Sequence, residues 1–387
     1  MRRLGAVLLG VVVLAACDAN PAPRPSVSAS VPPPVAVSWR ELSLPVEGGA
    51  AMVRDVVFCP GAWFVVGAVR DAGGGTRPAA WRSADGVSWS SLRFDATSYY
   101  GKQNVLYSAA CRDGRLAALG AKSGGAHGYP RTFSWAQSAD GVVHEVRAPY
   151  TLFGGSTAVN VSRVDAGAAG FLIAGNRMSG AAAWVARDAS RFEIREGTPG
   201  LASDGSGESW AFDGVGVGSG WLLVGGWLAN GRIDRDPSGW SSADGRVWRR
   251  LPAEGASAAY EELQRVVLVD GAPVAVGLSG SVFGVWRLSD DRWRASGSFG
   301  SVPAGGGSSV RALTAGGSRL WAATSDGVAF ALWRSADGGA RWSPVSSPVA
   351  LPARGESAVG LAGGGDRIVL VSDDGRMGRI YLAETGA

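Results

Sequence analysis

One short pattern returns along this chain at nearly constant spacing, and it restricts the fold more than any other feature. An aromatic residue leads into a polar turn, and a second ring usually follows. The copies run from Trp81 to Trp89 (WRSADGVSW), Trp135 to His144, Trp184 to Phe192, Trp240 to Trp248, Trp286 to Trp293 and Trp333 to Trp342. The leading aromatics step by 54, 49, 56, 46 and 47 residues, and Tyr381 follows Trp333 by 48. A period near 50 is that of a propeller blade, in which one small sheet cannot bury its faces alone and stacks on its neighbours.

Each unit carries two earlier apolar runs. In the first unit they are Met52 to Phe58 and Trp63 to Val69, separated by Cys59-Pro60-Gly61. With the aromatic strand and the strand after the turn, this gives four short antiparallel strands per unit. The seventh unit, Ser357 to Ala387, ends where its polar turn should come. Its missing strand is supplied by SWRELSL (Ser38 to Leu44), which resembles the outer strands WSSLRF and WRRLPAE. The expectation is an all-β, seven-bladed β-propeller of four-stranded antiparallel blades, closed by the N-terminal strand, since closure removes an exposed sheet edge. Six blades with degenerate flanks is the alternative.

The turn SADGGARW (Ser335 to Trp342) resembles the Asp-box, or BNR repeat, S-x-D-x-G-x-x-W. The copies at Ser83 and Ser242 are one residue shorter, and those at Asp188 and Asp290 are degraded. The resemblance covers residues 38–387 and implies a turn in which Asp accepts backbone N–H bonds, Gly takes a positive φ and Trp packs on the neighbouring strand. Proteins with this turn include sialidases, other glycan-active proteins, assembly factors and sorting receptors, so it implies a fold and leaves function open.

The N-terminus carries an address. Arg2 and Arg3 precede an apolar run, Leu4 to Val13, too short to span a bilayer but suited to a signal peptide. Leu14-Ala15-Ala16-Cys17 resembles the lipobox of bacterial lipoproteins, which implies lipidation of Cys17. The organisation expected is a leader over 1–16, a Pro/Ser/Ala-rich spacer over 17–37 that cannot bury a core, and the propeller over 38–387. The chain is then lipid-anchored at the extracytoplasmic face of the cell membrane. Without its leader it carries 35 basic and 33 acidic side chains. That balance is no nucleic-acid footprint.

Sixteen Trp invite a carbohydrate-binding reading, but all except Trp210 and Trp227 fall in repeat columns and are expected to pack. Tyr behaves differently. Tyr99, Tyr100, Tyr150 and Tyr260 lie between one blade's outer strand and the next blade's inner strand, and Tyr129 between second and third strands. Both loop types emerge opposite the polar turns. With Arg131 these rings are expected to form one contiguous binding surface, since variable loops on a rigid scaffold are where recognition resides. Aligned inner strands bring Asp55, Ser108, Arg163, Asp213, Arg265, Ala312 and Gly360 into one column, with Arg54 and Arg311 one position earlier. These charges are expected at the channel mouth, where they pair with one another or hold an anionic or hydroxyl-rich ligand. Cys59 and Cys111 end inner strands in neighbouring blades and are expected to form a disulfide.

Enzymatic chemistry is thinly represented. A sialidase uses three Arg, a Tyr activated by Glu, and an Asp. Arg54 and Asp71 are reminiscent of that layout, but no Tyr–Glu pair or Arg triad is assignable from the sequence. The run from Asp234 to Gly239 echoes a calcium loop without its closing Glu. Only His127 and His144 are present, so no His-based metal site or triad is expected, and no cofactor. The reading is a monomeric scaffold that binds a cell-surface protein or glycan and meets the membrane only through its lipid, with no catalytic residues assigned. The alternative is a sialidase-like or other glycan-active enzyme.

Overall fold

Apolar runs bounded by Gly and Asp turns become strands, and the strands assemble into seven sheets, each built on four antiparallel strands, one of them with a fifth strand at its edge. The computed structural model describes residues 33–123, 130–255, 258–316 and 319–385; the leader, Cys17, most of the spacer and Tyr129 lie outside them. Blades 1 to 7 begin with inner strands Ala50–Cys59, Val105–Arg112, Ala158–Gly167, Gly207–Val217, Glu261–Val269, Ser309–Gly316 and Ala358–Gly364. The fold is the seven-bladed propeller expected from the repeat.

The N-terminal strand closes the ring. Arg40–Leu42 pairs antiparallel with Gly378–Glu384 as the outer strand of blade 7. The flanking residues extend this clasp to both neighbours. Val35 N–H donates to the Pro344 carbonyl at 2.8 Å on blade 6. On blade 1, the Pro45 carbonyl accepts the Trp81 indole N–H at 2.7 Å and the Ser91 hydroxyl at 3.0 Å. One short segment therefore runs round the rim over three consecutive blades. Blade 2 gains an extra edge piece by a similar route, since Phe94–Asp95, arriving from blade 1, pairs parallel with its outer strand Val143–Glu145.

A blade is flanked by blades on both faces, so its second strand reads as an unbroken apolar run; Ala62–Val69 is buried throughout. The core is accordingly divided into seven apolar clusters, one at each junction. Each leading aromatic of the repeat packs into the cluster shared with the preceding blade. Trp81 packs between blades 7 and 1, Trp240 between 3 and 4, and Tyr381 between 6 and 7. The sequence period is therefore the period of junctions.

The polar turns brace the ends of the third strands. Asp85 accepts the Val87 and Ser88 N–H groups, both at 2.8 Å, and Gly86 has φ 73°. Those backbone bonds, that from Ser88 foremost, hold the Asp85 carboxyl at about 2. Asp337 is held at about 2 in the same way, chiefly by the Arg341 N–H. At the same ends of blades 1 and 2, Cys59 and Cys111 are joined in a disulfide with Cα atoms 5.9 Å apart.

Candidate functional site

Six inner strands share a local irregularity that decides what faces the channel. A register shift falls between Val53 and Asp55, Leu106 and Ser108, Val161 and Arg163, Ala211 and Asp213, Leu263 and Arg265, and Val310 and Ala312. Each leaves one extra residue unpaired, and a bulge re-aims the side chains around it. Blade 7 keeps an unbroken register through Gly360. The extra residues Arg54, Tyr107, Ser162, Phe212, Gln264 and Arg311 line a cavity of about 1110 Å³ at the channel mouth. The aligned column lies one position later and is divided: Arg163 and Arg265 line the cavity, whereas Asp55, Ser108 and Asp213 are buried.

The buried column residues hold blades together. Asp55 accepts the Ala109 N–H at 3.0 Å, Ser108 accepts that of Val164 at 3.1 Å, and Asp213 accepts that of Val266 at 3.2 Å. The remaining four junctions are bridged equivalently. Asp165 accepts from Gly216, Gln264 from Val310, Thr314 from Gly363, and Asp373 from Val53. Every junction thus carries a side-chain acceptor aimed at a backbone N–H of the next inner strand, which an unbonded group there would make costly. Burial pushes the Asp213 carboxyl up, and it pushes Asp165, with Asp213 adding to it, up to about 7.

The cations are unevenly answered. Arg163 donates to Asp55 at 2.9 Å and lies 3.7 Å from Asp213. Arg54 pairs with Asp373 at 2.7 Å, and Arg70 with Glu356. Among the described residues Arg265 hydrogen-bonds to carbonyls, those of Gln264 at 2.6 Å and Arg311 at 3.2 Å, and feels Asp213 at longer range. Burial, reinforced by Arg163, pulls its guanidinium down to about 10. The Arg311 side chain has no hydrogen-bond or ion-pair partner among the described residues, and burial in the channel wall, with Arg163 beside it, lowers its affinity for its proton. Of the cavity lining, six side chains are Arg or Lys and only Glu356 is acidic.

The loop-face rings divide into two groups instead of one surface. Tyr99 and Tyr100 meet edge to face at 5.2 Å, and the Arg131 guanidinium lies 5.8 Å from the Tyr100 ring and 4.5 Å from that of Tyr150. Tyr260 belongs to another group, between blades 4 and 5. Arg235 lies 4.6 Å from the Trp210 ring there, and donates to Tyr260 and to Glu262, each at 2.9 Å. The Tyr260 hydroxyl donates to Glu262 at 2.6 Å. The expectation of one contiguous surface is corrected, because the interblade loops carrying these rings are fixed by different junctions. A Tyr–Glu pair, not assignable from the sequence, is present at Tyr260 and Glu262. Glu262 was missed because it sits in a strand that reads as packing. Its own burial and the Glu262 carboxylate push the Tyr260 hydroxyl well above its ordinary value, the opposite of nucleophile activation. Tyr260 does not line the channel cavity. Asp71 is an exposed turn residue that accepts the Gly75 N–H at 2.8 Å, and Arg54 is committed to Asp373.

No protein-family model matches the sequence, and no curated protein matches it. Among solved structures, the β-propeller domain of the Trilobed protease from Pyrococcus furiosus, described as having an open velcro topology, aligns over 88% of this chain and 95% of that one, with TM-score 0.52 and 9% identity. The present ring is instead closed by its N-terminal strand. Pyrococcus horikoshii acylaminoacyl peptidase aligns over 87% of this chain and 52% of its own, with TM-score 0.50 and 9% identity. The chain spans about half the length of that peptidase. Trypanosoma rangeli sialidase covers 90% of this chain and 60% of its own at TM-score 0.44 and 11% identity, a likeness too low to argue from. At such identities the likeness is one of fold alone.

Proposed function

We propose that this chain is a lipid-anchored propeller at the extracytoplasmic face of the membrane that works as a binding scaffold, seating an anionic group of its ligand at Arg265 and Arg311. One observation carries the reading: two neighbouring guanidinium groups, neither hydrogen-bonded nor closely ion-paired to a carboxylate among the described residues, face a cavity of about 1110 Å³, with the buried Asp213 and Asp55 acting on them only at longer range. Like charges held together in a partly desolvated wall repel, and an anion between them replaces that repulsion with charge-assisted hydrogen bonds. The ligand's source, a cell-surface protein or a glycan, is set by whatever else the loop face contacts. The acids in and behind the cavity wall favour binding over hydrolysis, since Glu356 is paired with Arg70, and Asp55, Asp213 and Asp373 accept backbone N–H groups, Asp55 and Asp373 being paired with Arg163 and Arg54 as well.

The second reading, a glycan-active enzyme, draws on the Tyr260–Glu262 pair. Two measurements separate them. Calorimetric titration of the full chain with glucuronate and with inorganic phosphate should give binding that Arg311→Gln weakens at least about tenfold, the scale of one charge-assisted contact. A fluorogenic sialoside should not turn over; turnover abolished by Tyr260→Phe would establish the enzyme instead. Anchoring is tested by Cys17→Ala, which should release the protein from the membrane fraction.

A further inference from the structure

Between blades 2 and 3 lies a second, smaller cavity of about 190 Å³, whose walls include Phe133, Val146, Pro149 and Phe153. Its one charged side chain among the described residues is Arg131; Thr132, Tyr100 and Tyr150 are its other polar lining residues. Tyr150 covers one side of the guanidinium at 4.5 Å and Tyr100 approaches it at 5.8 Å. Stacking occupies the faces of a guanidinium and leaves its N–H edge free, so the fork stays available for two parallel hydrogen bonds. Among the described residues that edge has no hydrogen-bond or ion-pair partner. A second cation, Lys122, stands directly across from Arg131 in the neighbouring strand. Like charges in that relation repel, and Lys122 likewise has no carboxylate partner among the described residues. The Tyr150 ring lies against Gly154, where any Cβ would come within 2.4 Å of it.

We propose that this slot binds a carboxylate carried beside an apolar, ring-sized group, with Arg131 receiving the carboxylate and the Phe133–Val146–Phe153 wall receiving the group. The volume sets the size, since pockets that enclose drug-sized ligands run from roughly 300 Å³ upward. A single ring or branched side chain fits here. The wall sets the polarity: it offers little to satisfy a ring of hydroxyls. Two sources share this chemistry, a free apolar acid and the C-terminal residue of a peptide. The site is separate from the anion seat in the channel and does not depend on it.

The test uses the purified full chain and ligand-observed NMR, with N-acetylphenylalanine, its amide, and a tetrapeptide ending in phenylalanine with a free carboxylate. The acid should bind with Kd near 1 mM or tighter and the amide at least about tenfold more weakly. Arg131→Gln should erase that difference without moving the melting temperature, while Arg311→Gln, which addresses the channel, should leave it intact. A tetrapeptide that binds at least tenfold tighter than N-acetylphenylalanine assigns the slot to chain ends; comparable or weaker peptide binding assigns it to small acids. Equal affinity for acid and amide, no binding of either, or a difference that survives Arg131→Gln overturns the proposal.

Discussion

Two clusters on the loop face are built from the same parts and finished differently. Between blades 4 and 5, Arg235 stacks on Trp210 and is met by Tyr260 and Glu262. Between blades 2 and 3, Arg131 is clamped by Tyr100 and Tyr150 and met by no carboxylate. Glu262 is 4% exposed and its other oxygen accepts the Gln264 amide at 2.7 Å, so the first cluster answers its own arginine. Stacked rings on an arginine are therefore no mark of a site, because they serve equally to pack it. The mark is a positioned charge that the protein leaves unanswered.

The largest effect should come from breaking the closed cluster. Glu262→Ala leaves Arg235 and Gln264 without their acceptor at a buried position, and urea denaturation should show a loss of about 3–5 kcal/mol. Arg131→Ala should cost less than about 1 kcal/mol, because no pair is broken. Equal losses would erase the distinction. The comparison can also be forced the other way. Ala148 lines the small cavity beside Arg131 and is exposed. Ala148→Glu should supply the missing carboxylate, abolish binding of N-acetylphenylalanine and change stability by no more than about 1 kcal/mol.

Titrations give smaller signals. Tyr260 has its pKa raised, so its contribution to stability is whole below the unfolded value of about 10, fades as pH rises above that value and is gone once pH passes the folded one. Absorbance of the phenolate should show Tyr260 un-ionised at about pH 11, and Tyr260→Phe should leave the curve below that unchanged. The turns Asp85 and Asp337 carry the opposite sign. Their folded values of about 2 make their stabilisation complete above about pH 4 and lost as pH falls toward 2. Melting temperatures of Asp85→Asn and the parent should differ at neutral pH and converge in acid. These exposed turns should respond to acid alike in all blades that carry them, whereas the two arginine clusters should not.

The architecture was legible because its signal is repeated packing. Each leading Trp recurs since each junction needs one large ring, and Ser38 to Leu44 was recognisable because it matches strands that do the same task elsewhere. The site was legible only in part. A bulge inserts a residue that alternation cannot reveal, so the aligned column pointed at Asp55 and Asp213 while the cavity is lined by Tyr107, Phe212 and Gln264 from the position before. The interblade acceptors escaped notice because Asp, Ser, Gln and Thr share the task and come from different strands. Glu262 meets an arginine from the preceding blade, a contact that no local spacing encodes.

The clasp of the N-terminal segment sets the order in which this molecule is made. Arg40 to Leu42 are among the first described residues to leave the ribosome, and their partners, Ile380 to Leu382, among the last. Until Gly378–Glu384 has been made, blade 7 has no third strand and the opening strand has nothing to pair with. Six blades can assemble from neighbouring sequence, but the circle can close only afterwards, through a contact between residues far apart in sequence and so among the slowest to form. During that interval both flanks of the growing arc are open sheet, the surface on which other unfinished chains would add.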